Sequence, residues 1–305
     1  MATSEAATPQ SSGHDGLTRE ERKSVTHGDF WIPEEEREKY KRALAALNRA
    51  GIPYVVSGAY AIYEHTGIYR ETKDLDLFLE PERMLDGARA LQEEGFRMRL
   101  EQPHWLAKAT LGDHFVDLIF GMGNGLALID QDWYRHSKPA ILAANTVRVA
   151  PVEELIWHRL FISERHRHDM ADIVHLILCQ GSRIDWDRLV HKAGEHWPLL
   201  LSQLQMFSYV YPEARSHIPV ALIDDLLARS KAELTRPRSG EAVTRGPLIS
   251  RFSFSIDVNE WGMTDLRDRS IRAKEQLPII REIAASDVWE EHSDMTRDYL
   301  RRYQP

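Results

Sequence analysis

The segment TKDLDLFLEPE alternates acidic and apolar side chains, and this alternation constrains the fold more than any other stretch of the chain. Successive side chains of an extended strand point to opposite faces, so Leu75, Leu77 and Leu79 share one face. Asp74 and Asp76 share the other face. Two carboxylates one strand repeat apart, roughly 6.5–7 Å at the backbone, repel unless a positive group lies between them. The segment therefore predicts a strand buried on one side that holds a cation, such as a metal ion, on the other.

A third acid lies in a later apolar segment. HWLAKATLGDHFVDLIF predicts a β-hairpin with one strand at 105–110 and a returning strand at 114–120. The returning strand carries Asp117 between Val116 and Leu118. A carboxylate among large apolar residues is expected to have a partner, because burying an unpaired charge is unfavourable.

A tight turn precedes the acidic pair. The buried strand IPYVV runs into Ser57-Gly58, which begins a helix that ends at Gly67. Free N–H groups and the positive end of the dipole at a helix start can hold phosphate. A plain N-cap is the simpler alternative. Arg70 and Lys73 lie just before the acids, where they either pair with neighbouring acids or neutralise bound phosphate.

Phosphoryl or nucleotidyl transfer is the chemistry that needs this set of residues. Two Mg²⁺ ions about 3.5–4 Å apart clamp the attacking and leaving oxygens of an in-line displacement, and they prefer carboxylate oxygens. Asp74 and Asp76 are predicted to hold both ions. Asp117, on the neighbouring strand, is predicted to bind the ion beside the attacking hydroxyl and to accept its proton.

The same residues carry a resemblance to a known superfamily. VSGAYAIYEHTGIYRETKDLDLFL followed by HFVDLIF resembles the nucleotidyltransferase-fold superfamily, near its minimal and abortive-infection-type members. The signature is an hG[GS] turn, a DhDh strand and a later hDh strand, with h apolar. These fall on residues 56–58, 74–77 and 116–118, and the turn departs from the pattern by containing Ser-Gly-Ala. The resemblance covers residues 50–120 and extends more loosely over 151–180.

The resemblance implies an α+β domain, with a polymerase-beta-like mixed sheet and flanking helices, followed by an all-α region. It implies a transferase that moves an NMP group from an NTP to a hydroxyl, amine or phosphate. The cofactor would be Mg²⁺, with Mn²⁺ as a substitute, and Ser57, Gly58, Arg70 and Lys73 would hold the NTP. The choice of NTP, ATP included, stays open, as does the acceptor, which is a small molecule, a protein or an RNA such as tRNA.

The chain is predicted to divide into four segments. Residues 1–28 are small and polar and are expected to be a disordered tail. Residues 29–150 form the α+β domain, and 151–235 form a helical domain. Within the helical domain the polar run SERHRHD predicts a break near 166–168. Residues 236–305 combine a loop with helices that pack on either domain.

Bulk composition limits the partners. The 305 residues carry 39 Lys and Arg against 47 Asp and Glu, a net charge of −8, so the overall field does not attract nucleic acid or anionic lipid. The single cysteine, Cys179, is expected to be buried and fits a reducing cytosol. Without a signal peptide or a long apolar run, the protein is predicted to be soluble and cytoplasmic, with no membrane partner. The oligomeric state stays open.

Two other functions remain as alternatives. HRHDMADIVH places His168, Asp172 and His175 on one helical face, which would suit a metal-dependent phosphohydrolase. A solvated face, with Arg165 and Arg167 available to nucleotide phosphate, is the simpler interpretation. The second alternative is a non-catalytic interaction or defence protein built on a nucleotidyltransferase fold.

Overall fold

The structure is a computed structural model that describes residues 32–70, 72–237, 240–275 and 277–302. The α-helices are α1 (Glu34–Arg49), α2 (Gly58–Thr66), α3 (Pro81–Glu93), α4 (Gln131–Arg135), α5 (Val152–Arg159), α6 (Met170–Gln180), α7 (Trp186–Ala193), α8 (Trp197–Val210), α9 (Val220–Leu234), α10 (Ser255–Asn259), α11 (Leu266–Glu275), α12 (Pro278–Ala285) and α13 (Asp294–Arg302). The strands are β1 (Val55–Val56), β2 (Asp74–Phe78), β3 (Arg97–Gln102), β4 (Leu106–Leu111), β5 (His114–Ile119), β6 (Lys138–Leu142), β7 (Asn145–Val149), β8 (Val243–Thr244), β9 (Thr264–Asp265) and β10 (Glu291–His292). The tail predicted for residues 1–28 lies outside the described residues.

Eight of these strands form one mixed sheet in the order β10-β3-β4-β5-β2-β1-β7-β6. β2 runs parallel to β5, β1 parallel to β7 and β10 parallel to β3, whereas the other neighbours are antiparallel. Helices flank the sheet, so the predicted α+β class is confirmed. The predicted hairpin is confirmed as β4 and β5.

The alternation of β2 decides which face of the sheet is apolar. Leu75, Leu77 and Leu79 are buried in a core cluster that also contains apolar residues of α1 and α3. Asp74 and Asp76 lie on the opposite face, as the period of two requires. The predicted one-sided burial of this strand is confirmed.

Helices α5 to α9 pack in a second core cluster against the other face of the sheet. Trp133, Trp157 and Trp197 are among the buried side chains of this cluster. The predicted break between two helices is confirmed, because α5 ends at Arg159 and α6 begins at Met170. The connecting loop, residues 160–169, crosses the face of the sheet that carries the acids and helps to line the cavity there.

The C-terminal segment, residues 240–275 and 277–302, packs on both clusters. Its strand β10 extends the sheet by pairing with β3. Ile280 and Tyr299 join the first cluster, and Leu248 joins the second. The segment therefore holds the two layers together rather than packing on one of them, and the predicted domain boundaries near 150 and 235 stay predictions.

One prediction about the helical region is wrong. Cys179 is exposed, because α6 buries Leu176 and Ile177 and turns the cysteine outward. Within the described part of the chain, every helix is too short or too polar to span a bilayer.

Candidate functional site

Asp74, Asp76 and Asp117 converge on the polar face near the middle of the sheet. One carboxylate oxygen from each lies within 4.8 Å of the others. The parallel register of β2 and β5 pairs Asp76 with Asp117, so both side chains point to the same face. Among the described residues, these three form the single group of His, Cys, Asp or Glu side chains close enough to hold a metal ion.

The carboxylate of Asp76 lacks enough positive charge around it. Burial, together with repulsion from Asp74 and Asp117, raises the pKa of Asp76 to about 7. Arg159 and Arg167 act in the opposite direction without cancelling these effects. A cation between the three acids would remove this imbalance.

Asp117 has a cationic partner that the sequence analysis missed. Lys108 Nζ donates a hydrogen bond of 2.6 Å to Asp117 Oδ1. Burial raises the pKa of Asp117, and the hydrogen bond and charge of Lys108 oppose this rise. The signal was available in the sequence: a two-residue turn at Gly112-Asp113 sets a register that places Lys108 opposite Asp117.

The predicted Ser57-Gly58 turn lies directly against the acids. Ser57 N donates a hydrogen bond of 2.9 Å to the backbone oxygen of Asp76, which joins the turn to β2. Gly58 begins α2 with φ +59, and a Cβ atom there would lie 1.9 Å from Asp76 Oδ2. Only glycine allows this approach, so the start of α2 and the carboxylate of Asp76 share one small space.

The two predicted basic residues have different positions. Arg70 lines the same cavity as the acids, but its guanidinium donates hydrogen bonds of 3.2 and 3.1 Å to the two oxygens of Asp172. Lys73 is exposed and lies outside the residues that line the cavity. The structure therefore groups the turn, the three acids and Arg70, and leaves Lys73 apart.

These residues open into a cavity of about 630 Å³. The loop between α5 and α6 forms its opposite wall and contributes Phe161, Arg167, His168 and Asp169. Arg167 is more than half exposed and donates hydrogen bonds of 3.1 and 3.2 Å to Asp169. The cavity thus has an acidic floor that faces a loop with the exposed Arg167, which suits a polyphosphate that is bound with a metal ion.

The predicted helical face of His168, Asp172 and His175 is incomplete, because His168 lies in the loop before α6, and arginines pair with Asp172. Arg159 is buried, and its Nε donates a hydrogen bond of 3.2 Å to Asp172, which also pairs with Arg70. Asp172 is therefore neutralised by guanidinium groups. Among the described residues, it does not belong to a group of side chains that could hold a metal ion. Sequence reasoning missed Arg159, because its partners depend on how α5 packs on α6.

No protein-family model matches the chain, and no curated relative matches it either. Several solved structures are similar to it. The antibiotic-resistance factor ANT(2'')-Ia is 20% identical, with 67% of this chain and 95% of that chain covered and a TM-score of 0.36. The lincosamide antibiotic adenylyltransferase LnuA is 16% identical, with 48% and 96% covered and a TM-score of 0.34. Terminal uridylyl transferase 4 from Trypanosoma brucei is 11% identical, with 55% and 63% covered and a TM-score of 0.26.

The similar structures contain different bound molecules. A second structure of ANT(2'')-Ia contains adenylyl-2''-tobramycin, the LnuA structure contains lincomycin, and the uridylyl transferase contains GTP. These likenesses assign no substrate to this chain, whose function is inferred from the geometry of its own site.

Proposed function

We propose that this chain is a Mg²⁺-dependent nucleotidyltransferase, which moves an NMP group from an NTP to a hydroxyl, amine or phosphate of an acceptor. The observation that supports this most is the convergence of Asp74, Asp76 and Asp117 within 4.8 Å beside the start of α2. A metal-binding carboxylate group and a phosphate-binding helix start are the two parts that this reaction needs.

The donor set fits a divalent metal ion. Carboxylate oxygens are the ligands that Mg²⁺ and Mn²⁺ prefer, and the charge of Asp76 is left largely uncompensated by the protein. When bound, Mg²⁺ neutralises the triphosphate and stabilises the attacking and leaving oxygens of the displacement. Asp74, Asp76 and Asp117 are the residues that hold it.

The order of strands in the sheet places the phosphate-binding turn on one side of the acids and the proposed proton acceptor on the other. The Ser57-Gly58 turn follows β1, the acidic pair lies on β2, and Asp117 lies on β5. Backbone N–H groups at the start of α2 hold the leaving phosphates, and Arg167 adds positive charge from the opposite wall. The acceptor then approaches from the side of Asp117, opposite the leaving group, as an in-line displacement requires.

The bond changes follow from this arrangement. The acceptor oxygen or nitrogen forms a bond to the α-phosphorus of the NTP, while the bond from that phosphorus to the bridging oxygen breaks. Pyrophosphate leaves with the electron pair of the broken bond. Asp117 accepts the proton of the acceptor, and Lys108 holds the other oxygen of this carboxylate in place.

Two measurements test this function. Mg²⁺ together with an NTP is expected to raise the melting temperature of the protein, and α-labelled NTP is expected to label an acceptor in a cell extract. Asp76→Asn should abolish labelling, whereas Asp113→Asn, at an exposed aspartate of the hairpin turn, should not. Labelling by Asp76→Asn at the wild-type rate would refute the assignment, and a lack of stabilisation by every NTP would favour a non-catalytic binding protein.

A further inference from the structure

A second cavity, of about 600 Å³, adjoins the catalytic cavity. The two share Trp105, Gly123, Asn124, Phe161 and Ile162 in their walls. The remaining walls come from the connection between β3 and β4, from Glu164 and from the C-terminal segment, chiefly α11 and α13. No step of the proposed mechanism uses this space.

The second cavity lies on the side from which the acceptor approaches. Along the sheet, β4 and β3 follow β5, so they lie on the side of Asp117 away from the phosphate-binding turn. Gln102, His104 and Trp105, at the connection between these strands, form one wall of the cavity. A molecule in the second cavity can therefore present a nucleophile toward Asp117, opposite the leaving pyrophosphate.

The C-terminal wall of this cavity is fixed by close contacts. Asn124 Nδ2 donates a hydrogen bond of 3.1 Å to the backbone oxygen of Leu248. Gly125 has φ +74, and a Cβ atom there would lie 2.4 Å from Ile271 of α11. This close packing of a loop on a helix fixes the position of the C-terminal wall of the cavity.

Two buried polar groups in this pocket lack partners. His104 is 6% exposed, and neither of its ring nitrogens has a hydrogen-bond partner among the described residues. Arg267 Nε is also buried without a partner. Burial lowers the pKa of His104 to about 4, against an opposing effect of the Gly123 backbone. The neutral imidazole offers one donor and one acceptor, and buried polar groups without a partner are uncommon in proteins.

The acidic side chains of the pocket have partners within the protein. Glu164 accepts hydrogen bonds from Ser250 Oγ at 2.5 Å and from the backbone of Arg251 at 3.1 Å. Asp298 pairs with Arg301 at 3.2 Å, and the two acids that α11 contributes also have interaction partners. These carboxylates are therefore already satisfied before a ligand binds.

The basic side chains of the pocket are less committed. Arg251 and Arg302 line it with exposed guanidinium groups, and neither makes a side-chain ion pair with the described residues. Arg267 uses Nη2 for Asp265, at 3.1 Å, and its Nε is buried without a partner among the described residues. In this pocket, more hydrogen-bond donors than acceptors therefore lack a partner. This excess of donors favours a ligand with a negative charge.

We propose that the second cavity is the acceptor site and that the acceptor is a small hydroxylated molecule carrying a carboxylate or a phosphate. This inference rests on the proposed function. The anionic group lies against the exposed Arg251 and Arg302, Arg267 adds positive charge in the same wall, and Trp105 lies where the two cavities meet. A volume of about 600 Å³ is that of a pocket for a small molecule. An acceptor hydroxyl bonds to the α-phosphorus, gives its proton to Asp117 and displaces pyrophosphate, which yields a phosphodiester.

A labelling experiment with the full chain tests the class of acceptor. The protein, Mg²⁺ and α-labelled NTP are incubated separately with the dialysable small molecules of a cell extract, with total tRNA and with the dialysed proteins. We expect label in the small-molecule pool, in a product with at least two negative charges by electrophoresis, one from the new phosphodiester and the rest from the acceptor. Label in tRNA or protein instead overturns the proposal. A small labelled product that carries one negative charge or none also overturns it.

The same preparation separates this inference from the proposed function. If Mg²⁺ and NTP raise the melting temperature but no small-molecule product forms, the acceptor assignment is wrong and the nucleotide site stands. If no NTP stabilises the protein in the presence of Mg²⁺, the proposed function itself is wrong.

Substitutions in the pocket test its location. Arg251→Gln and Arg302→Gln should each raise the KM for the product-forming fraction about tenfold, and leave the KM for NTP unchanged. Arg302→Lys should recover part of the loss, because it restores the charge without the planar donor geometry. Arg215→Gln, at an exposed arginine far along the chain from the pocket, should change neither constant. Wild-type acceptor KM in both glutamine variants, or a raised KM for NTP instead, places the acceptor elsewhere.

Discussion

Lys108 Nζ lies 2.6 Å from Asp117 Oδ1, across the hairpin formed by β4 and β5. This contact supplies positive charge to the buried carboxylate that we propose as the proton acceptor. It also fixes one oxygen of that carboxylate and leaves the other to face the proposed metal site and the acceptor.

Lys108→Met should impair both stability and transfer. Removing the ammonium leaves a buried carboxylate unpaired, which we expect to destabilise the fold by about 1–3 kcal/mol and to raise the pKa of Asp117 further. Urea denaturation and the rate of label transfer measure the two effects. Lys231→Met, at an exposed lysine of α9, is the matched control, and equal behaviour of the two variants would contradict a role for this contact.

Gly58→Ala should separate backbone strain from contact with the catalytic acid. Gly51 and Gly58 have similar positive φ angles, +64 and +59, but a Cβ atom meets Asp76 at 58 and nothing within 4 Å at 51. Both substitutions should be destabilising by about 1–2 kcal/mol from the left-handed backbone.

The contact with Asp76 should add a second effect at Gly58 alone. Gly58→Ala is expected to displace the carboxylate and to abolish stabilisation by Mg²⁺ and NTP in a thermal-shift assay, whereas Gly51→Ala keeps it. Retained ligand stabilisation in Gly58→Ala would show that this approach is not needed for binding.

Asp76→Asn should stabilise the metal-free protein at alkaline pH. The pKa of Asp76 is raised in the folded state to about 7 from 3.8, so the folded state binds more protons than the unfolded state between these values. This carboxylate therefore lowers stability as pH rises from about 4 to 7, and keeps it low above 7. Without divalent ions, Asp76→Asn should melt above wild type at pH 8, with a much smaller difference near pH 4. Asp113→Asn controls for the loss of a surface charge, and a lower melting temperature of Asp76→Asn at pH 8 would contradict the charge imbalance.

Buried histidines should make the protein sensitive to acid. Burial lowers the pKa of His65 and of His104 to about 4, from 6.5. The unfolded state therefore binds more protons between pH 4 and 6.5, and stability falls as pH falls through this window. The titration of Asp76 changes stability in the opposite direction in this pH window. The two proteins that are compared should therefore both carry Asp76→Asn. In Asp76→Asn, adding His65→Gln should flatten the decline of melting temperature between pH 6.5 and 4, and an unchanged slope would show that His65 does not titrate as inferred.

The local parts of the site were predictable from sequence because they depend on short-range periodicity. The period of two in β2 separates Asp74 and Asp76 from the leucines, and Asp117 is conspicuous as an acid within an apolar strand. The role of Lys108 was also predictable, since the turn length fixes the register of the hairpin. This pair becomes evident only when the outward faces of β4 and β5 are compared across the hairpin.

The long-range parts of the site could not be predicted in this way. Arg70 lies 102 residues before its partner Asp172, and no local pattern indicates that pair. The role of the C-terminal segment depends on β10, a strand of two residues that is set by its pairing with β3 rather than by its own sequence. Lys73 is next to Asp74 along the chain, but its side chain is exposed and does not line the cavity.

The attachment of β10 to β3 has a consequence for how substrate preference can change in such a protein. The strand covers what would otherwise be an open sheet edge, and open edges favour aggregation. The same 240–302 region supplies α11 and α13 to the second cavity. If this whole region were exchanged to alter the preferred substrate, the new region would also have to supply an edge strand. Gradual substitution along α11 and α13 is therefore the easier evolutionary route to a new specificity.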